Sequence, residues 1–184
     1  MIKTYPYNST LKLSEHFQAS EFKCKCGGNH EIKIDEELVN KLERLRGVFG
    51  GKIVITSGYR CPAHSVAVGG YGGDRHTKGQ AADIKVYYPG GKIVDTRLVA
   101  CAAQTIGFNG IGNIDNTYTA IHVDTREAVA KWYGDEAKPN GSTGSVTGDY
   151  YNYYGVDKSK LFPVTETHKL KLYYDDKLIF EKEL

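Results

Sequence analysis

Asp83 stands at the head of an apolar, strand-like run, Ala81-Ala82-Asp83-Ile84, and this placement constrains the fold more than any other feature of the chain. A lone ionised carboxylate is too costly to bury, so the fold must bring a partner to it. Just upstream lies Arg75-His76-Thr77-Lys78-Gly79-Gln80, which places a histidine one Gly-containing turn before the strand. A second segment, Ile121-His122-Val123-Asp124, alternates His and Asp with apolar residues. Side chains two apart on a strand share a face, so His122 and Asp124 project together.

The elements around these segments mix helix and strand. Residues 35–49 read as a strong helix: Asp35, Glu36 and Glu37 crowd its positive end, and Leu38, Leu42, Leu45 and Phe49 fall on one face. Gly50-Gly51 ends it. Residues 52–56 and 81–88 read as buried strands, and the Gly-rich stretch 57–75 between them as mostly loop or turn. A second helix starts at 95 or 96, faces the core with Val99, Ala102, Ala103 and Ile106, and stops at Gly107. A third strand is expected at 118–123, after a turn at 113–116. Residues 126–133 read as a short helix or a loop. Near the N-terminus, residues 13–22 read as short helical turns with Ser14 and Ser20 as caps, and 24–30 as a Gly-rich loop. The expected class is α+β: a central antiparallel sheet carrying Asp83 and His122, with flanking helices.

Composition shifts at Gly134. Residues 1–135 are expected to form the main domain and 136–148 a linker, centred on Lys138-Pro139-Asn140-Gly141-Ser142. Residues 149–184 read as a β-rich extension, too small for a core of its own and expected to pack on the main domain. It holds a tyrosine patch, Tyr150-Tyr151-Asn152-Tyr153-Tyr154, read as a partly exposed strand, and a hairpin-like tail at 168–181. There is no internal repeat.

Charge excludes little but gives no support to a nucleic-acid partner: 24 basic and 22 acidic side chains leave a net charge of +2. No stretch approaches the roughly 18 to 20 apolar residues of a membrane helix. The first residues lack the apolar core of a signal peptide, so synthesis in the cytoplasm is expected. Of the four cysteines, Cys101 lies in an apolar run and reads as a buried thiol. Cys24, Cys26 and Cys61 have three readings: a structural zinc site with His30, a disulfide from Cys61 to Cys24 or Cys26, or free thiols.

Two imidazoles and one carboxylate are the donors that zinc favours, and a catalytic zinc typically has three protein ligands and one open position. His76, Asp83 and His122 satisfy that count. The wider pattern is more specific. Ser57-Gly58-Tyr59-Arg60-Cys61-Pro62, then Val68-Gly69-Gly70, then His76-x-x-Gly79-x-Ala81-x-Asp83, then His122-Val123-Asp124-Thr125 resembles the M15 peptidases. These are the D-alanyl-D-alanine carboxypeptidases and peptidoglycan endopeptidases, related in fold to the hedgehog signalling domain. The resemblance covers roughly residues 13–132, and Ser20-Glu21-Phe22-x-Cys24 is similar to the phage and Firmicute branch.

The resemblance implies a Zn2+ enzyme that hydrolyses peptide bonds in the stem peptides of bacterial peptidoglycan, acting on the wall after release as a phage lysin or virion-associated hydrolase, with a monomer favoured. It implies His76, Asp83 and His122 as zinc ligands and Arg60 as the arginine that faces the substrate, binding a terminal carboxylate or a developing oxyanion; a structural ion pair is the alternative. The family's acidic residue three positions before the last zinc histidine is replaced here by Thr119. Asp124 is the candidate general base, with orientation of His122 or Arg126 as its alternative, and Asp115 is the reserve. Asp74 stands where the family often has Ser, and reads as a turn residue. The missing acid also keeps open a non-catalytic zinc-containing wall-binding module, and the C-terminal extension a phage structural component.

Overall fold

The computed structural model describes residues 1–115, 117–133 and 144–162 in full, and the backbone of 169–174 and 177–183. The chain opens with β1 (Ile2–Tyr5), which pairs antiparallel with β2 (Ile32–Asp35) as a separate ribbon. Between them a 3-10 turn at Ala19–Phe22 buries Phe22, with Phe17 against it. Helix α1 (Glu36–Phe49) starts where the Asp35 carboxylate accepts from the Glu37 amide, and ends at Gly50 with a left-handed φ of 68°. Its Leu38, Leu42, Leu45 and Phe49 are buried, as the periodicity predicts.

The central sheet has six strands in the order β3-β4-β6-β5-β7-β8. These are β3 (Ile53–Ser57), β4 (Ala81–Val86), β5 (Gly110–Asn113), β6 (Ile121–Asp124), β7 (Ala130–Tyr133) and β8 (Gly144–Ser145). All neighbours are antiparallel except β5 and β7, so the sheet is mixed rather than wholly antiparallel. β5 and β7 each run opposite to β6, the strand between them in the chain, so when β7 adds to the open edge of β5 the two are parallel. Helices α1 and α3 (Thr96–Ile106) pack on the sheet through β4, β5 and β6. Ala82, Ile84, Val86, Ile111, Ile121 and Val123 supply that buried face. The other face is left for the polar residues that alternate with them.

Several elements depart from the sequence reading. Within 57–75, Pro62–Ala67 forms helix α2, with Pro62 in its first turn and Cys61 as its cap. Strands β1, β2 and β5 have no counterpart in that reading. The third strand begins at Ile121, because Tyr118 turns the chain with a φ of 55°. Residues 130–133 are strand β7 rather than helix or loop, held by its parallel register with β5. The tyrosine patch is helix α4 (Tyr150–Tyr154), capped by the Asp149 side chain, and not a strand; α5 (Lys158–Leu161) follows.

Residues 136–143 of the expected linker lie outside the described residues. Residues 144 and 145 form β8 beside β7, and Val146 and Tyr150 are buried in the main core. β9 (Lys169–Tyr174) and β10 (Lys177–Glu183) pair antiparallel as a hairpin. Among the described residues no helix is long and apolar enough to cross a membrane.

Candidate metal centre

The sheet register assembles the polar site as a row. Ser57, Asp83, His122, Gly112 and Trp132 are successive partners across β3, β4, β6, β5 and β7. Directly opposed residues on adjacent strands have Cβ atoms about 4.5–5.5 Å apart, close enough for side chains to meet. The next row holds Ala81, Asp124, Gly110 and Ala130. His76 enters from the turn before β4. That turn closes at Gly79, whose φ is +75° and where a Cβ would lie 2.4 Å from the Lys33 carbonyl oxygen.

Three donor atoms converge on one point. His122 Nδ1 is 3.0 Å from Asp83 Oδ1, His76 Nε2 is 3.1 Å from His122 Nδ1, and His76 Nε2 is 3.3 Å from Asp83 Oδ1. Each donor is fixed from behind. His76 Nδ1–H donates to the Gly58 carbonyl at 2.7 Å, which leaves the Nε2 lone pair pointing inward. His122 donates from Nε2 to Asp124 Oδ2 at 2.9 Å, which leaves its Nδ1 lone pair inward. Arg60 Nη2 holds the other oxygen of Asp83, while Arg60 Nε donates to Ser57 Oγ at 2.8 Å.

Two lone pairs and a carboxylate oxygen repel one another unless a cation sits among them. Tetrahedral zinc ligands about 2.0–2.1 Å from the ion lie about 3.3 Å apart, so the observed spacing fits zinc closely. Burial makes the need sharper: His76 is 3% exposed and Asp83 9%. Burial pushes the Asp83 carboxyl up, but the two histidines outweigh it and hold it far below the ordinary carboxylate range. For His122, burial pushes the imidazole down, but its bonds to Asp124 and Asp83 outweigh this and raise it to about 9. Without a metal, a proton takes the cation's place.

The structure therefore brings His76, Asp83, His122 and Arg60 together. It places Asp124, the candidate general base, against His122 and Arg126. Asp124 is fully buried behind His122, on the side of the ring away from the other two ligand atoms. Both its oxygens also accept from Arg126 Nε, at 2.8 and 2.9 Å. Burial raises the Asp124 carboxyl, and His122 and Arg126 together pull it well below its usual value. Asp115 is spent on its own turn, accepting from Thr117 and Thr119.

A cleft of about 370 Å³ opens over the cluster. Its wall includes Arg60, Arg75, Arg126, Tyr71 and Trp132 and, among the described residues, one carboxylate besides Asp83, that of Asp74. Asp74 is held by Ser65 Oγ and by the Thr77 amide at 3.1 Å. Arg75 Nη1 donates to the neutral Gln80 amide oxygen at 2.9 Å, and among the described residues Arg75 makes no ion pair within 4 Å.

Sequence reasoning missed the residues that shape the site without donating to it. Trp132 lies 5.2 Å, ring to ring, from His122, with the Arg126 guanidinium 5.3 Å over its indole. On β5, a Cβ at Gly110 would lie 2.1 Å from the Asp124 carboxylate, and one at Gly112 would lie 1.8 Å from the Trp132 ring. The signal was present as glycines two apart, a period that only a strand turns into one face.

A family model described as Peptidase M15 matches residues 15–124, a span that contains His76, Asp83 and His122. No curated protein matches the chain.

Proposed function

The chain belongs to the Peptidase M15 family, and from that premise we propose that it is a zinc-dependent hydrolase of peptide bonds in bacterial peptidoglycan. The observation that carries this reading is the convergence of His76 Nε2, Asp83 Oδ1 and His122 Nδ1 at 3.0 to 3.3 Å on the floor of an open cleft. His76, Asp83 and His122 would hold the ion. A zinc there supplies Lewis acidity, polarising the scissile carbonyl and acidifying water.

The chain's own residues do the rest. Gly58 and Asp124 fix the ring orientations and tautomers of the two histidines, so no reorganisation is needed at the moment of reaction. Arg60 spans the Asp83 carboxylate and the cleft, where it can face an oxyanion that develops on the substrate. Arg75 offers an unneutralised guanidinium to a substrate carboxylate, and peptidoglycan stem peptides are rich in carboxylates. Tyr71 and Trp132 give the cleft apolar surface for peptide side chains. A fold of the hedgehog and D-alanyl-D-alanine peptidase type, and action on the wall after release as a phage lysin or virion-associated enzyme, belong to the same proposal.

The test is release of new amines from purified peptidoglycan, with and without a chelator, by wild type and by His122→Ala. The reading requires release that the chelator stops, that zinc restores, and that His122→Ala lacks.

One observation favours a second reading, a metal-holding module that binds the wall without cutting it. Position 119 is Thr, and neither Asp124 nor Asp115 lines the cleft. A protein that retains zinc and sediments with peptidoglycan, yet releases no amines, selects this reading.

A further inference from the structure

Away from the cleft, three cysteine sulfurs form a second cluster. Cys24 and Cys61 are buried and Cys26 is exposed, and all three Sγ atoms lie within 4.8 Å of one another. The Cys26 and Cys61 sulfurs are 3.9 Å apart. Thiolates about 2.3 Å from a tetrahedral zinc are about 3.8 Å apart, whereas a disulfide needs about 2.05 Å.

The backbone around the cluster is built to receive negative sulfur. The Cys61 amide donates to Cys24 Sγ at 3.3 Å, the Gly28 amide to Cys26 Sγ at 3.3 Å, and the His64 amide to Cys61 Sγ at 3.4 Å. Each sulfur thus accepts at least one N–H, a pattern that orients and stabilises thiolates at a metal and that the weakly accepting sulfurs of a disulfide do not need. Gly27, with φ of +83°, turns the chain so that Gly28 can point its amide back at Cys26.

We propose that Cys24, Cys26 and Cys61 hold a second zinc ion, structural rather than catalytic, with the fourth position left to His30 on the same turn or to solvent. The ion fastens two segments that the cleft depends on. Cys61 follows Arg60 directly, and the Tyr59 amide donates to the Phe22 carbonyl at 2.7 Å. Gly58, whose carbonyl orients His76, lies so close to Phe22 that a Cβ would meet its Cα at 2.6 Å. A zinc bridging residues 24 and 26 to residue 61 locks this crossing, and with it the placement of Arg60 and His76.

The experiment is metal stoichiometry of the full chain, purified reduced, loaded with excess zinc and desalted. The expected result is two zinc ions per chain for wild type, and one each for His122→Ala and Cys26→Ser. Cys26 is exposed, so its replacement leaves the core intact, and circular dichroism checks that the fold is retained. Loading with Co2+ separates the sites: thiolate-to-cobalt charge-transfer absorption is expected in wild type and His122→Ala, and is lost in Cys26→Ser. A single zinc that His122→Ala removes, with no charge-transfer band, overturns the proposal. So does a mass lower by two hydrogens in protein purified without reductant, with the same failure to bind, since that marks a disulfide.

Discussion

His122 donates one nitrogen to a buried carboxylate and turns the other to the cluster, so its chemistry is governed by Asp124. An Asn at 124 keeps the size but offers a neutral acceptor, leaving the imidazole less basic and less firmly oriented. Asp124→Asn is expected to lower metal affinity by about 10–100-fold, the usual effect of losing such a partner. Competition against a chromogenic chelator measures it. Unchanged affinity with lost turnover would return Asp124 to the general-base role. The same cluster sets a pH dependence in the metal-free protein. The folded pKa of His122 is raised from 6.5 to about 9. A raised pKa means stability that is fully present below about 6.5 and disappears as pH climbs through about 9. Metal-free protein is therefore expected to lose thermal stability between pH 6.5 and 9, while the zinc-loaded protein, in which the ion replaces that proton, does not follow this decline. A flat metal-free profile over the window would contradict the cluster's geometry.

At the scale of elements, β5 shows why part of the site was hidden in the sequence. Gly110-Ile111-Gly112-Asn113 has little intrinsic preference for strand, and its pairing comes from β6 and β7 on either side. Its glycines are there for clearance, over Asp124 and Trp132. Gly110→Ala is expected to cost about 1–3 kcal/mol through overpacking and to weaken metal binding as the carboxylate is displaced. Gly47 is the internal control: it sits in helix α1, and a Cβ added there would meet nothing within 4 Å. Gly47→Ala is expected to raise stability by about 0.4–1 kcal/mol, since alanine restricts the unfolded chain and suits a helix. Urea unfolding of the two variants against wild type checks both signs. Helix α1, by contrast, was legible, because Leu38, Leu42 and Leu45 repeat at the helical period. That His76, Asp83 and His122 belong together was read from the family resemblance, and the sheet register brings their side chains to one point. The direction in which Asp124 faces was not legible, because alternation fixes a strand face but not which neighbour a carboxylate meets there.

Across the whole molecule, residues 144–162 are joined to the core more closely than a composition shift at Gly134 suggests. Tyr150 is fully buried, and its hydroxyl donates to the Ile111 carbonyl at 2.7 Å and to that of Trp132 at 3.2 Å. Its amide donates to Gln104 on α3 at 3.0 Å. One residue thus ties α4 to α3 through its amide, and to β5 and the strand that presents Trp132 to His122 through its hydroxyl. The sequence hid this because a run of tyrosines reads equally as an exposed strand or a packed helix, and only long-range contacts decide. Tyr150→Ala is expected to cost about 3–5 kcal/mol, the range for emptying a large aromatic site in a core. Tyr150→Phe keeps the ring and loses only the hydroxyl's bonds, so a cost of about 1 kcal/mol is expected. Thermal and urea unfolding measure both. Near-equal, small losses in the two variants would mean that α4 is a detachable appendage. A large loss in Tyr150→Ala, with metal affinity falling alongside it, would make this helix part of the support for the metal centre, and a chain cut at residue 143 would then fail to hold zinc.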